Sequence, residues 1–190
     1  MQRRTLLKAI AGLTGWAFIG QTALAYQTSP DATNLNKTVF SEKDIRLLDE
    51  IAETIIPQTD TPGAKAAGCG AAMAVMVHDC YTKAERDMFV LGLKQLNNEC
   101  QQLYQQDFIT LADNDKQALL NQLDASAKKF NRNGQTSATL PHYFTLFKQL
   151  TLFCFFTSKV GATQVLRYSA IPGKYDGDLD YQPGDKAWAT

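Results

Sequence analysis

The chain has 190 residues, with 19 Lys plus Arg against 19 Asp plus Glu, and is 45% hydrophobic and 10% aromatic. That size suits one domain with a single sizeable core, and the apolar content excludes wholesale disorder. Residues 1–25 hold Arg3, Arg4 and Lys8 and no acid, so 16 basic face 19 acidic side chains beyond them, and this mild acidity argues against a nucleic-acid partner.

The N-terminus names a compartment. MQRRTLLK precedes the short apolar stretch Ala9–Ile19 and then Ala23-Leu24-Ala25, the order of a basic region, an apolar region and a small-residue cleavage site. Arg3, Arg4, Leu6, Leu7 and Lys8 match the twin-arginine motif that sends already folded proteins across a membrane. Cleavage after Ala23 and Ala25 gives a periplasmic product starting near Tyr26; a retained leader would serve as an anchor instead. The sequence therefore divides into a signal peptide, 1–25, a flexible polar leader, 26–39, and one helical domain, 40–190.

Ser41 with Asp44 forms the capping signal of a helix over Glu42–Ile56, with Ile45, Leu48, Ile51, Ala52 and Ile55 inward and Pro57 as its stop. A loop with Pro62-Gly63 as its turn leads to a helix over Gly70–Cys80. Thr82 and Glu85 open a long helix whose inward stripe is Phe89, Leu93, Leu96, Cys100 and Leu103. Asp113–Phe130 forms the next helix, with Leu119, Leu120, Leu123, Ala127 and Phe130 inward. Pro141 then fits a first helical turn, followed by the face Tyr143, Phe144, Phe147, Leu150 and Cys154. A short helix over Val160–Tyr168 and an irregular tail from Ile171 to Thr190 complete an all-α, single-domain irregular bundle of five to six helices.

Leu150–Phe156 is apolar around nearly the whole helix. Such a segment is either a central core helix or one whose side, at Phe153 and Phe156, completes an interface with another subunit.

Motifs for chemistry are sparse. His78, Asp79 and Cys80 are consecutive, so on a helix their side chains diverge by about 100° and do not converge on one metal. Gly68-Cys69-Gly70-Ala71-Ala72-Met73 ends in Met where a dinucleotide fingerprint needs Gly or Ala, and no strand precedes it. No C-x-x-C or C-x-x-C-H occurs. The sequence thus predicts no catalytic, cofactor or metal residue in this chain. Of the four cysteines, Cys69 and Cys100 make the least strained local disulfide, buried free thiols are the alternative, and Cys154 is a candidate for an intersubunit bond.

Glu53–Gly68, ETIIPQTDTPGAKAAG, resembles the opening signature of the gluconate 2-dehydrogenase subunit 3 family. Phe155–Ala162, Tyr168, Pro172-Gly173 and Tyr175–Gly177 resemble its C-terminal signature, so the likeness runs from about Phe40 to Gly177. The resemblance implies a small, cofactor-free subunit of a periplasmic or membrane-associated sugar, sugar-acid or alcohol dehydrogenase. Its large partner would be a flavoprotein of the glucose–methanol–choline type holding FAD, often joined by a cytochrome c subunit with haem c. The small subunit would assist maturation of the flavoprotein and its export through the twin-arginine translocase. The family pattern assigns no catalytic residue. Besides Phe153 and Phe156, the tail residues Tyr175, Tyr181 and Trp188 are candidate partner contacts. A free-standing periplasmic small-molecule binder and a helical adaptor for another exported complex are the alternative readings.

Overall fold

Ser41 caps the first helix through local geometry. Its hydroxyl accepts from the Asp44 amide at 3.3 Å, and the Asp44 carboxylate accepts from the Ser41 amide at 2.8 Å. In the computed structural model, which describes residues 38–132, 140–173 and 177–189, this opens α1 (Glu42–Ile55). The Ile56 amide makes the last helical bond, to Ala52, and Pro57 allows no continuation. Leu47, Leu48, Ile51 and Ala52 form the buried stripe, while Ile45 and Ile55 flank it half-buried.

α2 (Cys69–Cys80) starts one residue earlier than the sequence predicts, because Gly68 takes the left-handed conformation at the cap. Thr82 and Glu85 form the expected reciprocal box and open α3 (Lys83–Tyr104). A 3-10 turn, Phe108–Thr110, seats the buried ring of Phe108 before α4 (Asp113–Arg132). The last helix, α5 (Tyr143–Thr157), is capped by His142, whose Nδ1 accepts from the Phe144 amide at 3.2 Å. Pro141 therefore lies before the cap rather than in the first turn, and His142 has a structural task. Burial holds the His142 imidazole below the usual histidine range.

Among the described residues this is an all-α bundle, with α5 at its centre in contact with each of the other four helices. Its core is an aromatic cluster. Phe89 lies edge-on to Phe147 at 4.6 Å, to Phe40 at 5.9 Å and to Tyr81 at 6.2 Å, and Tyr143 meets Phe147 at 5.6 Å. Two expected core positions fall outside it. Leu103 and Phe130, in the last turns of their helices, are exposed, although the Phe130 ring still meets that of His142 at 5.8 Å.

The short helix expected over Val160–Tyr168 forms but ends earlier, being helical over 159–165. Ser158 restarts the chain after α5, accepting from the Gly161 amide at 2.9 Å and donating to the Phe155 carbonyl at 2.7 Å. A single π-type turn, Gly161–Val165, follows, and then β1 (Arg167–Tyr168). A Cβ at Gly161 would collide with the Phe155 carbonyl oxygen, so only glycine permits this fold-back. The tail is not wholly irregular: β1 pairs in parallel with β2 (Trp188–Ala189).

The two sides of α5 predict opposite mutational outcomes. Phe147→Ala, in the aromatic cluster, is expected to cost about 3–5 kcal/mol in urea unfolding. Phe153→Ala, on the outer side, should stay within about 0.5 kcal/mol of wild type. Equal losses at both positions would contradict the packing described.

Candidate functional site

The loop between α1 and α2 is held by three carboxylates on one helix. Glu53 accepts from the Gln58 amide at 2.9 Å and from the Lys65 amide at 2.8 Å, so one side chain pins both ends of the turn around Pro62-Gly63. The Ala64 amide adds a bond to the Ile56 carbonyl at 2.9 Å. Asp49 accepts from the Gly70 amide at 2.8 Å and thereby caps α2, whose own cap residue, Gly68, has no side chain to do it. Any side chain at Gly70 would meet that carboxylate, since a Cβ there falls 2.6 Å from Asp49 Oδ1. Burial raises the Asp49 carboxyl above its ordinary value, more than the Gly70 amide and Lys65 lower it.

Glu50 joins the loop to the far side of the bundle. It accepts from Lys65 on the loop and, at 3.0 Å, from the buried Lys116 of α4. Burial pushes the Glu50 carboxyl up, but hydrogen bonds from Lys65 and Lys116 outweigh it and hold the group below its ordinary value. The Lys65 ammonium is correspondingly raised, chiefly by Glu50. The carboxylates of Glu50 and Glu53 are thus occupied by internal cations and amides. Sequence reading found the loop but not this lattice.

The described residues contain no group of three or more His, Cys, Asp or Glu side chains placed to hold a metal ion. No described helix is long and apolar enough to cross a membrane. Three surface cavities of about 180, 310 and 240 Å³ lie along α1, against α4 and α5, against α3, and beside the Pro57 loop. At best they reach the lower end of the range of small-molecule sites, about 300–1,000 Å³.

All four cysteines are free thiols. The expected Cys69–Cys100 pair does not form. Cys69 sits at the start of α2, whereas Cys100 lies near the end of α3. Burial raises the Cys69 thiol to about 12 and the Cys100 and Cys154 thiols to about 11, keeping them protonated and unreactive. Cys154 is only 5% exposed, so its thiol faces the core rather than the surface where an intersubunit bond would form.

The predicted contact residues do reach the surface. Phe153 is 52% and Phe156 39% exposed, with Leu152 beside them, while Thr151, Cys154 and Phe155 face inward. The end of α5 is therefore central on one side and uncovered on the other. Tyr181 and Trp188 are 74% and 54% exposed. Tyr175, the export motif Arg3, Arg4, Leu6, Leu7 and Lys8, and the cleavage residues Ala23 and Ala25 lie outside the described residues.

The stability carried by Glu50 has a defined pH dependence. Its folded pKa lies below the ordinary 4.5, so its contribution is complete above that value and is lost as pH falls through the lowered one. Glu50→Gln should cost about 2 kcal/mol at neutral pH, and the gap to wild type should close in acid. Urea melts of both proteins across the acid range check this; a gap that widens as pH falls would reverse the assignment.

A family model described as gluconate 2-dehydrogenase subunit 3 matches residues 42–173, more than half of the chain. The matched region includes both signature loops and stops short of Tyr175–Gly177. Neither the curated proteins nor the solved structures yield a match.

Proposed function

The chain belongs to the gluconate 2-dehydrogenase subunit 3 family, and from this premise we propose that it is the non-catalytic small subunit of an exported flavin-dependent dehydrogenase. In this reading the FAD sits in a large partner of the glucose–methanol–choline type, a cytochrome c subunit with haem c receives the electrons, and the complex works in the periplasm. The small subunit assists maturation of the flavoprotein and supplies the twin-arginine address for its export, through Arg3, Arg4 and the residues after them.

One observation supports the reading above the others. The α1 carboxylates beside the signature loop are engaged within the chain: Glu53 binds loop amides, Asp49 caps α2, and Glu50 pairs with Lys65 and Lys116. That arrangement builds a rigid scaffold rather than a set of convergent reactive groups. Meanwhile Leu152, Phe153 and Phe156 leave an apolar strip on the outside, the composition expected at the centre of a subunit interface.

The test is export of the partner. In cells lacking this chain, the flavoprotein is expected to stay in the cytoplasm and its periplasmic activity to fall by about tenfold or more. Arg3→Lys with Arg4→Lys in this chain alone should have the same effect, because the address is carried in trans. Fractionation and dye-linked activity assays report both. Undiminished periplasmic flavoprotein in either strain would sink the proposal.

A further inference from the structure

The seam between α1 and α4 opens into two of the surface cavities, of about 180 and 240 Å³, which share Thr54 and Gln117 in their walls. They are adjoining parts of one groove. Its walls are polar by register. Gln117, Asn121 and Asp124 recur on one face of α4 at spacings of four and three, opposite Glu50 and Thr54, four apart on α1. A seam between packed helices is ordinarily closed by apolar side chains. Here only the floor is apolar: Leu120 and Phe144 are 5% and 2% exposed, with half-buried Ile55 beside them.

Charge is matched at both ends of the groove. At one end Glu50 pairs with Lys65 and, at 3.0 Å, with Lys116, which also stands 3.8 Å from Asp113. At the other, Asp124 meets Lys148 at 2.7 Å and Lys128 at 2.6 Å. With Glu53, whose oxygens accept from two backbone amides, four carboxylates stand among four lysines, and neither sign is in excess. Between the ends the hydrogen-bonding groups are uncharged. The side-chain amides of Gln58, Gln117 and Asn121 make no hydrogen bond among the described residues. The Thr54 hydroxyl donates to the Glu50 carbonyl at 2.7 Å and keeps its acceptor capacity.

We infer that this groove binds a small neutral polyol of the monosaccharide class. An anion entering it meets the carboxylates of Glu53 and Asp124, and a cation meets the Lys148 ammonium, so either disturbs pairs already made. A hydroxyl group donates and accepts at once, which suits primary amides and carboxylates that still have lone pairs to offer. The C–H face of a sugar rests on the apolar floor of Leu120 and Phe144. Length selects as well: from Gln117 to Asp124 the wall runs about 10 Å, room for a monosaccharide but for only about three residues of extended polypeptide. The groove goes beyond the subunit reading and does not depend on it.

The experiment titrates glucose, glucuronate and glucosamine, one skeleton in neutral, anionic and cationic form, into the isotope-labelled full-length chain. Nuclear magnetic resonance follows the side-chain amides of Gln58, Gln117 and Asn121 and the Thr54 backbone amide. Glucose should shift these signals saturably, with a dissociation constant of about 1–10 mM, and each charged analogue should bind about fivefold more weakly or worse. Gln117→Leu with Asn121→Leu, both at exposed positions, should weaken glucose about tenfold or more at the Gln58 and Thr54 signals, with the melting temperature unchanged. Gln117→Glu with Asn121→Asp keeps the side-chain shapes, should lose affinity likewise, and serves where the leucine variant does not fold. Shifts that stay linear in glucose, or that persist unaltered in these variants, overturn the site. Glucuronate or glucosamine binding as well as glucose overturns the neutral ligand. Tighter binding of a blocked alanine tripeptide at the same signals overturns the polyol in favour of a polypeptide.

Discussion

Three carboxylates within little more than one turn of α1 hold the rest of the structure in place. Asp49 reaches the start of α2, Glu53 the loop before it, and Glu50 both that loop and the first turn of α4. A loop of this length would otherwise expose many free amides, and α2 would begin without a side-chain cap. The pairing of Glu50 with the buried Lys116 has a further consequence. Burying either charge alone is costly, so the arrangement is stable only with α1, the loop and α4 together. Packing among helices that sequence separates by tens of residues is thereby fixed by a few charged atoms.

That scaffold exists to cover α5. A helix apolar on every side needs neighbours on every side, and α1, α2, α3 and α4 all touch it. From Leu152 onward coverage is one-sided: Cys154 and Phe155 stay buried while Leu152, Phe153 and Phe156 emerge. The Ser158–Gly161 fold-back then turns the chain sharply. A straight continuation of α5 would carry it away from the bundle; the close approach at Gly161 returns it toward β1. The C-terminal signature of the family thus has a physical meaning, a serine cap and a glycine without which the turn does not close.

Local rules were readable from sequence, and non-local ones were not. The boxes at Ser41 and Thr82 involve partners three residues away, so the pattern alone located both helix starts. Pro57 likewise stopped α1 where backbone sterics require. By contrast, Asp49 and Gly70 are 21 positions apart and Glu50 and Lys116 are 66 apart, and nothing in either neighbourhood announces the other. Leu103 and Phe130 show a different limit: they continue the apolar stripe of their helices, but periodicity does not say which turns are covered. The outward side of α5 was legible only as an alternative. Composition gives the apolar total, whereas coverage depends on the surrounding helices. The strand pair at the tail had no signal, since two residues per strand leave no alternation to detect.

The distribution of charge completes the argument about function. In the body, Glu50, Glu53, Asp107 and Asp124 meet lysines or backbone amides of the same chain, so their charge goes into holding the fold. In the proposed complex, therefore, the α1 carboxylates hold the scaffold together, and the apolar strip of α5, at Leu152, Phe153 and Phe156, is the surface it presents to a partner.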